Sequence, residues 1–277
     1  MIVNASGIFL ELTKKKNCFI LCEEVKTYTE LMWRVPGEKM DFNVEDILME
    51  DDDILVVRKK AGMAVQHAGV GQMDMEHLLL NYLAGKGKVG RRIPYLAVIH
   101  RLDQPVEGVI VFAKNPGAAK ILNAQMQKNE IHKEYLAVVD HAQTITRGRL
   151  VDYLLKNGRS NFSKVTTKGT PGGKLAELEY QILEQSETDG KALVRIILKT
   201  GRHHQIRVQM AHAGMPLYGD RKYNPQYKDG GNLALCAHRL SFRHPRTGKI
   251  LRFQAVPENR VFAIFGEGLS DKIADEI

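Results

Sequence analysis

Seven strand-like apolar runs follow one another along the chain, and few helical patterns lie between them. The runs occupy residues 54–57, 108–113, 131–139, 175–183, 192–198, 233–240 and 250–256. Between the fourth and the fifth, the pair Asp189-Gly190 is typical of a hairpin turn. Because strands outnumber helices and do not alternate with them, the pattern predicts an α+β fold, with a mixed, largely antiparallel sheet core and flanking helices.

Helical patterns are confined to three segments. Apolar side chains within residues 75–83 are spaced to share one helical face. Asn115 followed by Pro116 is a typical cap and first turn of a second helix. Residues 203–213 form a third candidate, and Gly214 provides its stop signal. We therefore expect three helices beside the sheet.

The composition is that of a soluble globular protein. Of the 277 residues, 44% are hydrophobic and 26% are charged. No run reaches the roughly 18 apolar residues of a membrane span, and the first residues lack a secretory signal pattern. Cys18, Cys22 and Cys236 form neither a disulfide framework nor a CxxC pattern. We therefore expect reduced thiols and a cytoplasmic location.

The spacing of these patterns predicts two segments. Residues 1–50 are interpreted as a short N-terminal extension with strand-like runs at 7–10 and 19–21, and residues 51–277 as the main domain. The extension ends in an acidic stretch, residues 41–53, with seven acidic and no basic side chains. No repeat or low-complexity linker separates the two segments.

The chain is basic, with a formal net charge of +8 and a pI of about 9.3. Such a surplus favours a polyanionic partner, because each neutralised phosphate releases counterions. One basic stretch, residues 156–174, carries Lys156, Arg159, Lys164 and Lys168 among small polar residues. It is interpreted equally well as a solvated loop or hairpin and as a phosphate-contacting segment.

A short polar segment, His100-Arg101-Leu102-Asp103, follows the apolar residues 96–99. If the chain is extended there, Arg101 and Asp103 project from one face while Leu102 points into the core. That arrangement suits a reactive acid beside a cation at a cleft. Taken alone, however, the segment is more typical of an exposed ion pair with Asp103 in a turn.

Five motifs, in order, resemble the RluA-type RNA pseudouridine synthase family. They are Asp53 to Gly62, the HRLD segment ending at Asp103, Lys133 to Val139 with Tyr135, TGRHHQIR at residues 200–207 continuing to Asp220, and CAHRL at residues 236–240. The likeness covers roughly residues 50 to 256. It implies the fold of that family for residues 51–277, whereas residues 1–50 do not resemble the separate RNA-binding domain that some members carry.

This chain departs from the family pattern at several positions. Val106-Glu107 stand where the family usually has Thr-Ser, and His203 replaces a threonine. Lys60 replaces the proline of the family's Lys-Pro-Ala-Gly turn. An acidic Glu107 near an RNA cleft is unfavourable unless it faces away or pairs with a cation. These changes concern substrate choice more than reaction type.

The resemblance implies three catalytic residues. Asp103 is expected to be the essential carboxylate, attacking the ribose or the base or removing a sugar proton. Arg207 is expected to pair with it through two hydrogen bonds. Tyr135 is expected to stack on the base and to join proton transfer from carbon 5. The resemblance requires no cofactor and no metal.

RNA, ribosomal or transfer, is the partner that the resemblance implies, and we expect a monomer without an obligatory protein partner. Arg101 is expected to occupy the space left by a flipped nucleotide. Further RNA contacts are expected from Lys59, Arg202, His204 and the four cations of residues 156–168.

Two other functions remain open on the sequence. Val106-Glu107 would suit an RNA-binding protein that keeps the fold without turnover. His203, His204 and His212 would suggest a metal-dependent hydrolase or nuclease, but they lack the spacing of a motif such as HExxH. Adjacent histidines on a helix also point about 100° apart. His100 is expected to be a structural hydrogen-bonding residue.

Overall fold

The computed structural model describes residues 43–66, 73–86, 94–140, 145–227 and 232–266, all within one compact unit, Asp41–Ile277. Its strands are β1 (Ile47–Glu50), β2 (Ile54–Lys59), β3 (Ala97–Val98), β4 (Glu107–Ala113), β5 (His132–Asp140), β6 (Arg147–Asn157), β7 (Phe162–Thr166), β8 (Lys174–Ser186), β9 (Lys191–Leu198), β10 (Leu235–Arg243) and β11 (Ile250–Gln254). Its helices are α1 (Met75–Lys86), α2 (Pro116–Gln127) and α3 (Gln205–His212), with 3-10 turns at Val44–Asp46 and Arg260–Phe265.

These strands form one mixed sheet. Its order is β1-β2-β4-β10-β5-β9-β8-β6-β7, with β11 also paired to β10 and β3 to β4. Within the described residues every strand pair is antiparallel except β4 with β10. The predicted fold class is therefore confirmed, and each of the seven predicted runs contains a strand.

Alternating side chains of the inner strands pack on both faces of the sheet. Leu55 and Val57 of β2 join the core cluster that also contains residues of α1 and α3. Ile54 and Val56 point the other way, into the cluster that contains residues of α2. Because both faces are buried, β2 reads as a continuous apolar run rather than as an alternating one.

The start of α2 agrees with its sequence signal. The side chain of Asn115 accepts a hydrogen bond of 2.8 Å from the backbone N–H of Ala118, and Pro116 opens the helix. A side-chain cap of this kind satisfies one of the backbone donors that a helix start leaves unpaired. The other two predicted helices are also present, as α1 and α3.

Gly108 allows β4 and β10 to approach closely. Its φ is +122°, and a Cβ atom at this position would lie 2.3 Å from the carbonyl oxygen of Ala237. A side chain at residue 108 would therefore force the parallel pair apart, at the point where β4 leaves the loop of Asp103.

The hairpin of β6 and β7 was not identified as a pair of strands from the sequence. Leu154 and Ser163 are its buried residues, and most other side chains of the two strands are exposed or half-buried. The basic stretch 156–174 thus runs from the end of β6 through β7 to the start of β8. The stretch therefore includes part of a hairpin, and its contact with phosphates stays a prediction.

The beginning of the chain lies outside the described residues, including the runs at 7–10 and 19–21 and both Cys18 and Cys22. Cys236 is a buried free thiol. In the part of the chain that the structure describes, no helix has the length and apolar character needed to cross a membrane.

Candidate active site

A polar cleft opens beside the loop that follows β3. It consists of two adjoining cavities of about 460 and 590 Å³. Both are lined by Gln66, Arg101, Leu102, Asp103, His203, His204 and Arg207. The fold therefore brings the HRLD segment and the start of α3 together, although about a hundred residues separate them in sequence.

Asp103 lies in the loop between β3 and β4, with 29% of its side chain exposed. The neighbouring side chains of Leu102 and Val106 are buried and anchor the loop in the core. A turn is closed by the hydrogen bond from the N–H of Val106 to the carbonyl of Asp103, 2.9 Å. The carboxylate thus faces the cleft from a fixed backbone, with Leu102 pointing inward as predicted.

Lys59 stabilises this loop through a hydrogen bond to the backbone of Gln104. Its side chain is fully buried, and its ammonium donates hydrogen bonds of 2.9, 2.7 and 3.0 Å to the carbonyl oxygens of Lys60, Met63 and Gln104. Burial lowers the pKa of Lys59 to about 7, although the nearby Asp103 carboxylate opposes the shift. The expected direct contact of Lys59 with RNA is therefore wrong: the side chain is inside the protein.

Arg207 projects from α3 and is buried between two carboxylates. Its Nε and Nη2 atoms donate to Asp220 at 2.8 and 2.7 Å, and its Nη1 lies 3.4 Å from Oδ2 of Asp103. The expected two-bonded pair therefore forms with Asp220, while the contact with Asp103 is single and longer. The side chain of Asp220 is fully buried against the guanidinium, whereas that of Asp103 is partly exposed.

Tyr135 of β5 lines the cavity of about 460 Å³ together with Asp103. Only 6% of its surface is exposed, and none of the described residues hydrogen-bonds to its hydroxyl. Burial raises the pKa of this phenol, and the Asp103 carboxylate adds to the shift. Tyr135 is therefore a neutral phenol whose hydroxyl keeps its hydrogen-bonding capacity for another molecule.

The two histidines before α3 form a stacked pair. Their ring centroids are 3.8 Å apart, and His204 has a left-handed backbone with φ 54° and ψ 26°. His203 bonds to Ser163 at 2.8 Å and to Asn161 at 2.9 Å, both from the β6–β7 hairpin. His204 is buried, and its Nε2 lies 3.6 Å from Oδ2 of Asp103.

The remaining expected RNA contacts differ in their distance from the cleft. Arg101 is exposed at the cleft and makes no hydrogen bond or ion pair with other described residues, and Lys156 lines the larger cavity. Arg202 is exposed at the smaller cavity while its Nε donates to the carbonyl of Leu175 at 2.7 Å. Arg159, Lys164 and Lys168 are exposed on the hairpin and the following turn, outside the cleft lining.

Glu107 faces away from the cleft. Its carboxylate accepts hydrogen bonds from the backbone N–H groups of Glu258 and Asn259, at 3.1 and 3.3 Å. Burial raises its pKa, and the two N–H groups oppose that shift. Although Glu107 departs from the family pattern, its carboxylate therefore does not line the cleft. It binds the backbone of residues 258 and 259 instead.

Asp220 and Tyr223 are site residues for which the sequence predicts no role. Asp220 was noted as the end of a motif, and its burial under Arg207 became visible only in the fold. The hydroxyl of Tyr223 lies 2.7 Å from Nδ1 of His204. No local pattern marks Tyr223, because its partners come from other elements.

A group of possible metal ligands in the described residues lies outside the cleft lining: Asp51, Asp53 and His244. His244 already bonds Asp51 at 2.8 Å, and Arg246 bonds Asp53 at 2.6 Å. Arg246 neutralises Asp53, and the hydrogen bond with His244 occupies Asp51, which leaves the group poorly suited to hold a metal ion. The histidines 203, 204 and 212 do not belong to it.

A comparison with known families identifies the class of protein. The family model described as RNA pseudouridylate synthase matches residues 53–212, more than half of the chain. The chain therefore belongs to this family. Enzymes of this class are isomerases that convert uridine in RNA to pseudouridine.

Curated relatives carry names of the same class. The chain is 32% identical to the ribosomal large subunit pseudouridine synthase D of Vibrio cholerae, over 94% of this chain and 80% of the relative. It is 34% identical to the ribosomal large subunit pseudouridine synthase C of Salmonella typhimurium, over 77% of this chain and 66% of the relative.

A solved structure supports the fold. The human RNA pseudouridylate synthase domain containing 4 superimposes with a TM-score of 0.64, covering 88% of this chain and 96% of that chain. Sequence identity over this match is 19%, so the likeness is one of fold.

Proposed function

We propose that this protein isomerises specific uridines of a structured RNA to pseudouridine, with Asp103 as the essential carboxylate. The observation that carries the proposal is the convergence of Asp103, Arg207 and Tyr135 on one cleft. Two carboxylates flank Arg207. The side chain of Asp103 is 29% exposed, whereas that of Asp220 is fully buried. Asp103 is thus the carboxylate that a substrate can reach.

The reaction breaks the bond between carbon 1 of ribose and nitrogen 1 of uracil, turns the base, and joins carbon 5 to the sugar. The proton of carbon 5 then leaves, and nitrogen 1 gains one, so the base keeps its composition. Asp103 attacks the ribose or the base, or removes a sugar proton, and each of these routes needs its carboxylate ionised. Arg207 places a guanidinium charge 3.4 Å from this carboxylate.

Tyr135 is proposed as the stacking surface for the base. Its ring lies against the cavity, and its raised pKa keeps the hydroxyl protonated at neutral pH. The phenol therefore acts as a hydrogen-bond donor or as a proton relay through its oxygen, rather than as a phenolate base.

We propose that the target nucleotide is flipped into this cleft. A base inside a helix is out of reach of a carboxylate in a loop, and extrusion costs a few kcal/mol. Arg101 is exposed beside Asp103 without a bond to other described residues, so it is available to fill the vacated space. This contact would offset part of the cost.

The path of the RNA is proposed to follow the β6–β7 hairpin. Lys156 lines the cleft, and Arg159, Lys164 and Lys168 extend an exposed basic surface from it, with Arg202 at the other cavity. His204 is buried beneath this surface, so its proposed role is toward Asp103 rather than toward phosphates.

Large-subunit ribosomal RNA is the substrate class we favour over transfer RNA, because it stands in the names of two relatives that cover much of the chain. We further propose that the protein acts in the cytoplasm as a monomer, without a cofactor or metal. Residues 51–277 are proposed as the catalytic domain and residues 1–50 as an N-terminal extension.

The test is an in vitro reaction with two unmodified transcripts, large-subunit ribosomal RNA and a transfer RNA pool, mapped for pseudouridine at base resolution. The proposal expects discrete positions in the ribosomal transcript, with equal yield in a metal chelator. Modification of the transfer RNA alone would overturn the substrate class. Modification of neither, with intact RNA binding, would favour the alternative of an RNA-binding protein without turnover.

A further inference from the structure

Tyr223 links the hairpin to the histidine beside Asp103. Its hydroxyl oxygen lies 2.8 Å from the backbone nitrogen of Ser163 and 2.7 Å from Nδ1 of His204. The guanidinium of Arg207 also lies over the ring of Tyr223, with its Cζ atom 5.2 Å from the ring centroid. One side chain therefore contacts β7, the start of α3 and the cation of the cleft.

The donors in this chain of hydrogen bonds follow from chemistry. The backbone N–H of Ser163 can only donate, so the oxygen of Tyr223 accepts that bond. The proton of the hydroxyl has His204 Nδ1 as its acceptor among the described residues. If Nδ1 also carried a proton, the hydroxyl proton would have no partner there. With the ring proton on Nε2, His204 Nδ1 accepts the hydroxyl proton, and every group in this chain of hydrogen bonds has a partner.

This tautomer directs an N–H group at Asp103. Nε2 of His204 lies 3.6 Å from Oδ2, the same oxygen that faces Nη1 of Arg207 at 3.4 Å. Burial, with the neighbouring Arg207 and His203, lowers the pKa of His204 to about 2, so its ring is neutral. Two donors thus face Oδ2, while Oδ1 has no hydrogen-bond partner among the described residues.

The backbone of His204 shows that this position is fixed by its surroundings. Residues other than glycine adopt a left-handed conformation only rarely, because their Cβ atom comes too close to the backbone. His204 keeps it while stacked on His203 and in edge contact with the ring of Tyr223, with centroids 5.6 Å apart. The ring is therefore held from two sides in the orientation that aims Nε2 at the cleft.

We propose that Tyr223 is a positioning residue that fixes His204 in its Nε2–H tautomer, so that this N–H and the guanidinium of Arg207 both face Oδ2 of Asp103 and Oδ1 is left for the uridine. The inference rests on the proposed function for Asp103. It also connects the hairpin to that carboxylate, because the Ser163 N–H that orients Tyr223 belongs to β7.

The first test reads the tautomer without RNA. Full-length protein labelled with ¹⁵N-histidine is studied by NMR, with the His204 signal assigned through its loss in His204→Asn. The wild type is expected to show a neutral ring protonated on Nε2, and Tyr223→Phe a changed pair of ring-nitrogen shifts. Tyr218→Phe, which removes a hydroxyl from the same segment away from His204, is the matched control and should keep the wild-type shifts. A wild-type proton on Nδ1, or unchanged shifts in Tyr223→Phe, would overturn the proposal.

The second test measures turnover of the large-subunit ribosomal transcript. Tyr223→Phe is expected to lower kcat by about tenfold with little change in KM, since a misaligned donor costs on the order of 1 kcal/mol in the transition state. Tyr218→Phe should stay within about twofold of the wild type. A tautomer change without a change in kcat would overturn the positioning role. Absence of turnover in the wild type, with the expected NMR result, would instead contradict the proposed function.

Discussion

Asp220, rather than Asp103, holds the guanidinium of Arg207. Two hydrogen bonds of 2.8 and 2.7 Å join Arg207 to Asp220, whereas one contact of 3.4 Å joins it to Asp103. Asp220 is fully buried, and Asp103 keeps 29% of its side chain exposed. The cation is therefore anchored by one carboxylate and presented to the other, which remains able to meet a substrate.

Replacement of Asp220 by alanine is expected to destabilise the protein strongly. It leaves the buried guanidinium of Arg207 without its main partner, a loss of about 3–5 kcal/mol in the free energy of unfolding. Urea unfolding measures this loss. Asp189→Ala, in the exposed turn before β9, is the control and should change stability little. A loss below about 1 kcal/mol for Asp220→Ala would contradict the anchoring role.

Replacement of Arg207 by lysine tests the geometry of the cation while keeping its charge. A lysine cannot donate two parallel bonds to Asp220 and also face Asp103, so kcat is expected to fall at least about 100-fold. Binding of the transcript should weaken much less, and Arg207→Ala should show the same split more strongly. Equal losses of turnover and binding would mean that Arg207 is mainly a phosphate contact.

Lys59 is expected to give stability a specific pH dependence. Its folded pKa of about 7 lies below the ordinary value of 10.5, so the unfolded chain holds more protons between these values. Stability therefore rises as pH increases from about 7 toward 10, by at most about 1.4 kcal/mol per pH unit. Denaturant unfolding at pH 7, 8 and 9 should show a smaller slope for Lys59→Met. Parallel slopes for the two proteins would refute the shift.

Removal of the hairpin cations is expected to weaken RNA binding in a salt-dependent manner. Lys164 and Lys168 are exposed, and alanine at both positions should reduce the slope of log affinity against log salt by about 1 per lost phosphate contact. Lys120 and Lys128, exposed on and just after α2, provide a matched double-alanine control. An unchanged slope would remove the hairpin from the RNA-binding surface.

The sequence predicted the inner sheet because its strands are buried on both faces and form continuous apolar runs, as in β4. The hairpin of β6 and β7 lies at the sheet edge and buries few side chains, so its apolar signal is weak. The structure shows the two strands through their backbone pairing, of β6 with β8 and of β7 with β6.

Site residues within the family motifs could be predicted from the sequence. Residues whose position depends on partners far away in the sequence could not. Asp103, Tyr135 and Arg207 do line one cavity. The error at Lys59 arises because its carbonyl partner on Gln104 lies 45 residues away. Tyr223 was missed for the same reason, since its partner Ser163 is 60 residues away. Local patterns do not reveal such pairs.

The central claim, that Asp103 carries out the isomerisation, is tested most directly by base-resolution pseudouridine mapping. Cellular RNA is compared from cells that lack the protein, cells that make the wild type and cells that make Asp103→Asn, which keeps the shape of the side chain and removes its charge. We expect discrete uridines that are modified with the wild type and remain unmodified with Asp103→Asn at equal protein level. Restoration of those positions by Asp103→Asn, or the absence of any position that depends on the wild type, would contradict the claim.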